Sequence, residues 1–160
     1  MKYTVLVEGY IAEKLIYDPT TGLLSRRLKT HIKPIRTLSN DGYVVVGILG
    51  RQYSVHRLAW YMHYGAWPDK DIDHINCVRS DNRIENLRLC DGSQNQANKR
   101  KFRGTSVYKG VDYHNASGLW RARIRKNYKH IELGYFKSES EAGAAYAHAA
   151  RHVHGEFSRV

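Results

Sequence analysis

Residues in the middle of this chain have the types and spacing to hold a divalent ion and to take a proton from water. Asp73 and His74 are adjacent, and the amides of Asn86 and Asn95 follow within the next 21 residues. A carboxylate and an amide oxygen are hard donors, the type that holds one divalent ion such as magnesium, with manganese as the other candidate. An imidazole beside them can take a proton from water near neutral pH. The chemistry offered is therefore metal-assisted hydrolysis.

That chemistry needs elements that bring the residues together. Residues 71–74 read as a short strand and residues 86–90 as a second one, with a loop between them. Asp91-Gly92-Ser93 supplies a turn and an N-cap, and a helix follows from near Ser93. This order brings Asp73, His74 and the first helical turn, where Asn95 sits, to one place.

The same stretch carries His56-Arg57-Leu58, Trp67-Pro68, Asp73-His74-Ile75-Asn76, Asp81-Asn82, Glu85-Asn86-Leu87-Arg88, and Asn95 with Asn98. This string resembles the HNH nuclease motif, the ββα-metal fold, and in particular the HNH enzymes of bacteriophages and mobile introns. So many fixed positions in one segment make a specific match. The resemblance implies that His74 is the general base, that Asp73 and Asn95 hold the metal, and that Asn86 braces the loop carrying His74. There are two departures. The last motif letter is Asn95 rather than His, and Cys77 stands where the family usually has Gly, which bears on the local turn.

Composition agrees with a nucleic-acid partner. Lys and Arg number 26 against 15 Asp and Glu, a net charge of +11 over 160 residues. Such a balance favours a polyanion. No apolar run approaches membrane-span length, and the amino terminus lacks a signal peptide's pattern. The two cysteines are too few for a disulfide framework or an all-cysteine zinc cage, so both are expected to be reduced, in a cytoplasmic setting. Cys90, on the second motif strand, is expected to be a small buried apolar residue.

Before the motif, Val5, Leu6, Ile11, Leu15 and Ile16 predict a helix over 5–15, interrupted in propensity by Gly9. Residues 18–22 form a turn and 23–27 a strand; the string Tyr17-Asp18-Pro19 with Thr21-Gly22 also opens many phage HNH proteins. Residues 42–49 and 51–55 predict a hairpin turning at Gly50. Residues 56–64 predict a helix stopped by Gly65. Its aromatic neighbours Trp60, Tyr61, Tyr64 and Trp67 are core candidates. His56 either supports the metal site or caps this helix, and its spacing to Asp73 does not choose.

After the motif comes a basic run with Arg100, Lys101 and Arg103, a linker over 101–106 that could lie along a phosphate backbone. Residues 107–157 then predict three strands and a helix. On the second strand Trp120, Ala122 and Ile124 share one face, and Arg121, Arg123 and Arg125 share the other, because side chains alternate. Ile131 and Leu133 join the apolar face, and His130 and Glu132 join the arginines. The helix opens at Ser138 with Glu141 three residues on, a capping box, and carries a stripe of Ala142, Ala145, Tyr146, Ala149 and Val153. Like charges on one face repel unless a polyanion answers them, so this face is expected to meet DNA.

Tyr108-Lys109-Gly110-Val111, Trp120-x-Ala122-x-Ile124, Leu133-Gly134-x-Phe136, Glu141-Ala142, Ala145-Tyr146, Ala149-Ala150 and His154-Gly155 resemble the Apetala-type DNA-binding domain of plant ethylene-response factors, over about fifty residues. The resemblance implies DNA contacts from Lys109, Arg121, Arg123, Arg125 and His130. The plant domains carry Trp where Glu132 stands and more basic residues at Asp112 and Tyr113, so their target sequence does not transfer.

The expectation is an α+β chain with three parts. A ββα-metal HNH nuclease domain spans 1–100, with its motif core over 71–99. The basic linker follows, and then an Apetala-type domain over 107–160, a small three-stranded antiparallel sheet with one helix. Its function is a metal-dependent DNA endonuclease acting on double-stranded DNA, as a monomer or homodimer, with no membrane. The competing reading is a DNA-binding regulator whose nuclease site has decayed; the intact set of Asp73, His74, Asn86 and Asn95 argues against it.

Overall fold

The computed structural model describes residues 2–99 and 104–159. The basic run at Arg100, Lys101 and Arg103, expected to follow a phosphate backbone, lies outside the described residues. Packing divides the chain into two compact units, Met1–Leu89 and Cys90–Val160. Both mix helices with antiparallel sheets, an α+β fold.

The first unit opens with α1 (Lys2–Lys14), whose Val7 and Ile11 are buried, one turn apart, with Leu15 a further turn along. Val5 and Leu6, expected among the helix's inward positions, face outward instead. Strands β1 (Leu15–Tyr17), β2 (Leu24–Arg27) and β3 (Ile32–Pro34) form a three-stranded sheet in that order. β1 and β3, three residues each, were not legible in the sequence, because so short a run shows no period of two. Strands β4 (Val45–Ile48) and β5 (Arg51–Ser54) form the expected hairpin. Helix α2 (Val55–Tyr64) follows at once and stops at Gly65, which takes the left-handed conformation (φ 73°) and donates its N–H to Tyr61 O. Val7, Ile11, Leu15, Leu24, Val44, Val46, Ile48, Val55 and Leu58 make the main core.

Strand β6 (Asp71–His74) pairs with β7 (Leu87–Cys90), and a single turn of 3₁₀ helix (Ile84–Asn86) leads into β7. Ala59, Ile72 and Leu87 form a second buried cluster beneath this pair.

The second unit begins with helix α3 (Gly92–Asn98). Asp91 caps it by accepting from Gln94 N, while the Gln94 side chain accepts from Asp91 N, a complete capping box. Strands β8 (Val111–His114), β9 (Leu119–Lys126) and β10 (Lys129–Phe136) form an antiparallel sheet with β9 in the centre. Helix α4 (Glu139–His154) lies on it, capped at Ser138 by the expected box with Glu141. Its Ala142, Tyr146 and Ala150 pack on Val111, Ala122 and Ile124. Gly143 also faces inward, and a Cβ there would meet the Tyr108 ring at 2.6 Å. Ile131, expected on the apolar face, is 43% exposed. It sits on an edge strand whose register slips between Glu132 and Gly134, which leaves that flank open.

The nuclease-motif helix is built into this second unit. Ala97 packs with Cys90 and Phe157, and Cys90 is fully buried, as expected. Ser93 Oγ accepts from Asn127 N at the β9–β10 turn. Lys109 Nζ donates to Ala97 O and to Lys99 O, so it satisfies carbonyls at the end of α3.

Candidate functional site

His74 ends β6 and is almost fully buried. Its Nε2 lies 3.2 Å from Asn82 Oδ1. The Asn82 amide nitrogen is itself donated to Ser80 O, which turns Oδ1 towards the histidine. An amide oxygen only accepts, so Nε2 carries the proton and the imidazole lone pair lies on Nδ1. Burial holds the His74 pKa below the ordinary 6.5, against the opposing pull of the Asn82 hydrogen bond and of Asp73 and Asp81. The ring is therefore neutral at physiological pH and fit to accept a proton.

Asn82 is 2% exposed, and the amino-terminal turn fixes it. Tyr17 OH donates to Asn82 O at 2.7 Å, and Ile84 N donates to Pro19 O. Gly22 completes the clamp: it has φ 71°, and a Cβ there would stand 2.4 Å from Arg83 N. The Tyr17–Gly22 string thus has a physical purpose, since it presses on the backbone that aims Asn82.

Asn86 ties the loop after His74 from the other side. Its Oδ1 accepts from Asn76 N, and its Nδ2 donates to Asn76 Oδ1 and Asp81 O. Asn76 in turn donates to Asp81 Oδ2 at 2.7 Å. Hydrogen bonds from the Arg83 side chain, chiefly, hold the Asp81 carboxyl down to about 2, against the effect of burial. Within the same turn, Cys77 takes φ 61° and donates its N–H to His74 O. This is the position where Gly was expected, and the left-handed backbone explains that preference.

Asp73 is buried, and its Oδ2 accepts from both Arg88 Nε (3.0 Å) and Arg88 Nη2 (2.9 Å). His56 lies in the first turn of α2, where Ser54 holds the N-cap position, so the histidine is not the cap. Its ring packs edge-on against His74 at 5.3 Å and tilted against Tyr43 at 5.1 Å. His56 Nδ1 is buried with no hydrogen-bond partner among the described residues. Burial, reinforced by His74 and Arg57, pushes its pKa down to about 3. Asn95 is half-buried on α3, in the second unit.

The residues present fit a hard divalent ion. Asp73 offers a buried carboxylate and Asn95 an amide oxygen, and both are oxygen donors of that class. Among the described residues no three of His, Cys, Asp and Glu converge.

The arginine face of the second unit differs from expectation. Asp112 on β8 stands opposite Arg121 on β9. Its Oδ2 accepts from Arg121 Nη2 at 2.7 Å, and its Oδ1 accepts from Arg123 Nη2 at 2.9 Å. Burial raises the Asp112 carboxyl, but the two guanidiniums outweigh it and hold the group below its usual range. Glu132 lies opposite Arg123 on the other side, and Tyr135 OH donates to Glu132. Arg125 lies over the Tyr128 ring at 5.6 Å. The repulsion between Arg121 and Arg123 is thus answered within the protein by Asp112. His130 pairs with Arg125 in register and is exposed.

Residues 53–97 match the HNH endonuclease family. The HNH match covers β5 through α3, and so includes His56, Asp73, His74, Asn82, Asn86, Arg88 and Asn95. The C-terminal region is homologous to AP2-type transcription factors of Arabidopsis thaliana. The AP2-like ethylene-responsive transcription factor AIL7 is 34% identical over 83 residues, 51% of this chain and 15% of that protein. The ethylene-responsive transcription factor WRI1 is 42% identical over 55 residues, 33% of this chain and 13% of that protein. The AP2-like factor AIL6 is 46% identical over 50 residues, 30% of this chain and 9% of that protein. The chain therefore spans less than a sixth of each of these relatives. A solved structure of DNA binding and cleavage by the HNH homing endonuclease I-HmuI is similar at a TM-score of 0.44 and 24% identity, over 57% of this chain and 54% of that one. No helix among the described residues is long and apolar enough to cross a membrane.

Sequence reasoning quoted Asn82 and Arg88 as motif letters and gave them no task; their partners lie eight and fifteen residues away and could be found only in the fold. Asp112 had a signal. Alternation places it on the arginine face, directly across from β9.

Proposed function

We propose that this chain is a metal-dependent DNA endonuclease of the homing-endonuclease type. The observation that carries the reading is a buried, neutral His74 whose proton is held on Nε2 by Asn82, inside an HNH endonuclease domain. His74 Nδ1 takes a proton from a water molecule, and the water oxygen attacks the scissile phosphorus in line. The P–O3′ bond breaks, which leaves a 3′-hydroxyl and a 5′-phosphate. Asp73 and Asn95 would hold one divalent ion, most simply magnesium, and that ion would supply positive charge where the phosphate and the departing oxygen become negative. Arg88 holds the Asp73 carboxylate in place, and Asn86 keeps the turn after His74 closed.

Residues 107–160 read duplex DNA through Arg121, Arg123, Arg125 and His130, on the sheet face away from α4. The sequence also assigned Lys109 to DNA; its ammonium is engaged at the end of α3, so its part is to seat that helix. Arg100, Lys101 and Arg103 would add phosphate contacts between the two functions. The setting is the cytoplasm, where duplex DNA is at hand.

Supercoiled plasmid tests the reading. Purified full-length protein should convert it to nicked or linear product with magnesium or manganese, and EDTA should stop the reaction. The product ends should accept ligase without repair. Undiminished cleavage in EDTA, or DNA binding with no cleavage under any divalent ion, would overturn it, the latter in favour of a binding regulator.

A further inference from the structure

Asp112 has no counterpart in the expected set of DNA contacts, yet one carboxylate there organises two of the three arginines on the sheet face. Both of its oxygens are used, one by each guanidinium. It is a third exposed, as is Arg123, so the group lies at the surface where a duplex would arrive. With Glu132 beside Arg123, the face alternates donors and acceptors.

We propose that Asp112 is a specificity-determining residue of the DNA-facing sheet. The inference rests on the reading that this face meets duplex DNA. Two physical consequences carry it. First, a backbone phosphate approaching Arg121 or Arg123 meets the Asp112 carboxylate, which repels it and competes for the same guanidinium protons. Sequence-independent binding, which comes from phosphate neutralisation, is therefore weakened. Second, a guanine edge presents the neutral acceptors O6 and N7. These can take the remaining guanidinium donors while the ion pair stays in place. The carboxylate also fixes each fork on one side, so fewer orientations are lost on binding. Asp112 thus disfavours the contact common to all DNA and preserves the contact that distinguishes a base.

The test uses full-length wild type, Asp112→Asn, Asp112→Glu and Arg123→Ala, each with its far-UV circular dichroism and melting recorded. Probes are a 30-bp duplex of random sequence, titrated across salt, and a randomised duplex library for selection. Asp112→Asn should bind the random duplex roughly 3- to 10-fold more tightly, with a log–log salt slope steeper by about one. Its selected sequences should be less restricted than those of the wild type. Asp112→Glu keeps the charge and should stay near the wild-type slope. It also keeps the comparison decisive if the Asn variant fails to fold, because a Glu variant that binds random DNA more tightly than wild type, with a steeper salt slope, would contradict the proposal. Random-duplex affinity and slope unchanged or weaker in Asp112→Asn, or an unaltered selected sequence, overturn it. If Arg123→Ala leaves binding and selection untouched, the DNA-facing reading of the sheet fails. If Arg123→Ala weakens binding while Asp112→Asn matches wild type, only the role given to Asp112 fails.

Discussion

The HNH strands and the arginine sheet both carry charged groups in ordered geometry, and they order them by opposite means. Around His74 the polar groups are buried, and each is fixed by the next: Arg88 on Asp73, Asn82 on His74, Asn86 on Asn76 and Asp81. On the sheet the arginines remain near the surface, held by one carboxylate and one aromatic ring. Chemistry on a bound phosphate needs a base in one tautomer and a ligand in one place, and burial enforces both. Reading a duplex needs groups that can leave their partners when DNA arrives, and surface ion pairs are weak enough to allow that. Damage to the first region should therefore cost the fold, whereas damage to the second should cost selectivity.

That contrast can be broken most severely at Arg88. The Arg88–Asp73 pair has side-chain exposures of 13% and 6%. Arg88→Met leaves a buried carboxylate without its guanidinium, a loss of about 3–5 kcal/mol. Urea unfolding followed by tryptophan fluorescence would record it, and a loss below about 1 kcal/mol, the level of a surface pair, would erase the distinction between the two regions.

Acid should probe the buried region next. His56 has its pKa near 3 in the folded chain against an ordinary 6.5. Above about pH 6.5 both folded and unfolded chains keep it neutral, and its contribution does not change with pH. As the pH falls below that value the unfolded chain binds a proton that the folded chain refuses, so stability declines until the pH nears 3. Melting temperatures at pH 7 and pH 5 should show the decline, and His56→Gln should flatten it. An equal decline in the variant would assign the effect to other groups.

The smallest expected change sharpens the picture of the turn that follows His74. Cys77 pays a left-handed backbone penalty at φ 61°. Cys77→Gly should raise stability by about 1 kcal/mol. No change in the denaturation midpoint would mean that the cysteine side chain returns what its backbone costs.

Much of this was legible in the sequence because the decisive signals were local. The capping boxes at Asp91 and Ser138, the left-handed stop at Gly65 and the alternation along β9 each lie within a few residues. What escaped depends on distant partners or on very short elements. The loop that aims Asn82 at His74 is held by Tyr17 and Gly22, some sixty positions upstream. β1 and β3 are too short to show a period. On α1 the expected Ile11 and Leu15 are buried, but Val7 faces the core where Val5 and Leu6 do not; hydrophobicity at a helix's open end does not reveal which side the core lies on. Alternation along β9 and β10 alone leaves the arginine row unanswered; only the register of β8 brings Asp112 opposite Arg121.

The role of His74 as general base is decided by measuring cleavage and binding side by side on His74→Ala. The variant should bind duplex DNA as wild type does while its magnesium-dependent nicking of supercoiled plasmid falls by roughly 10²- to 10⁴-fold or below detection. Nicking at the wild-type rate, with binding intact, would contradict it.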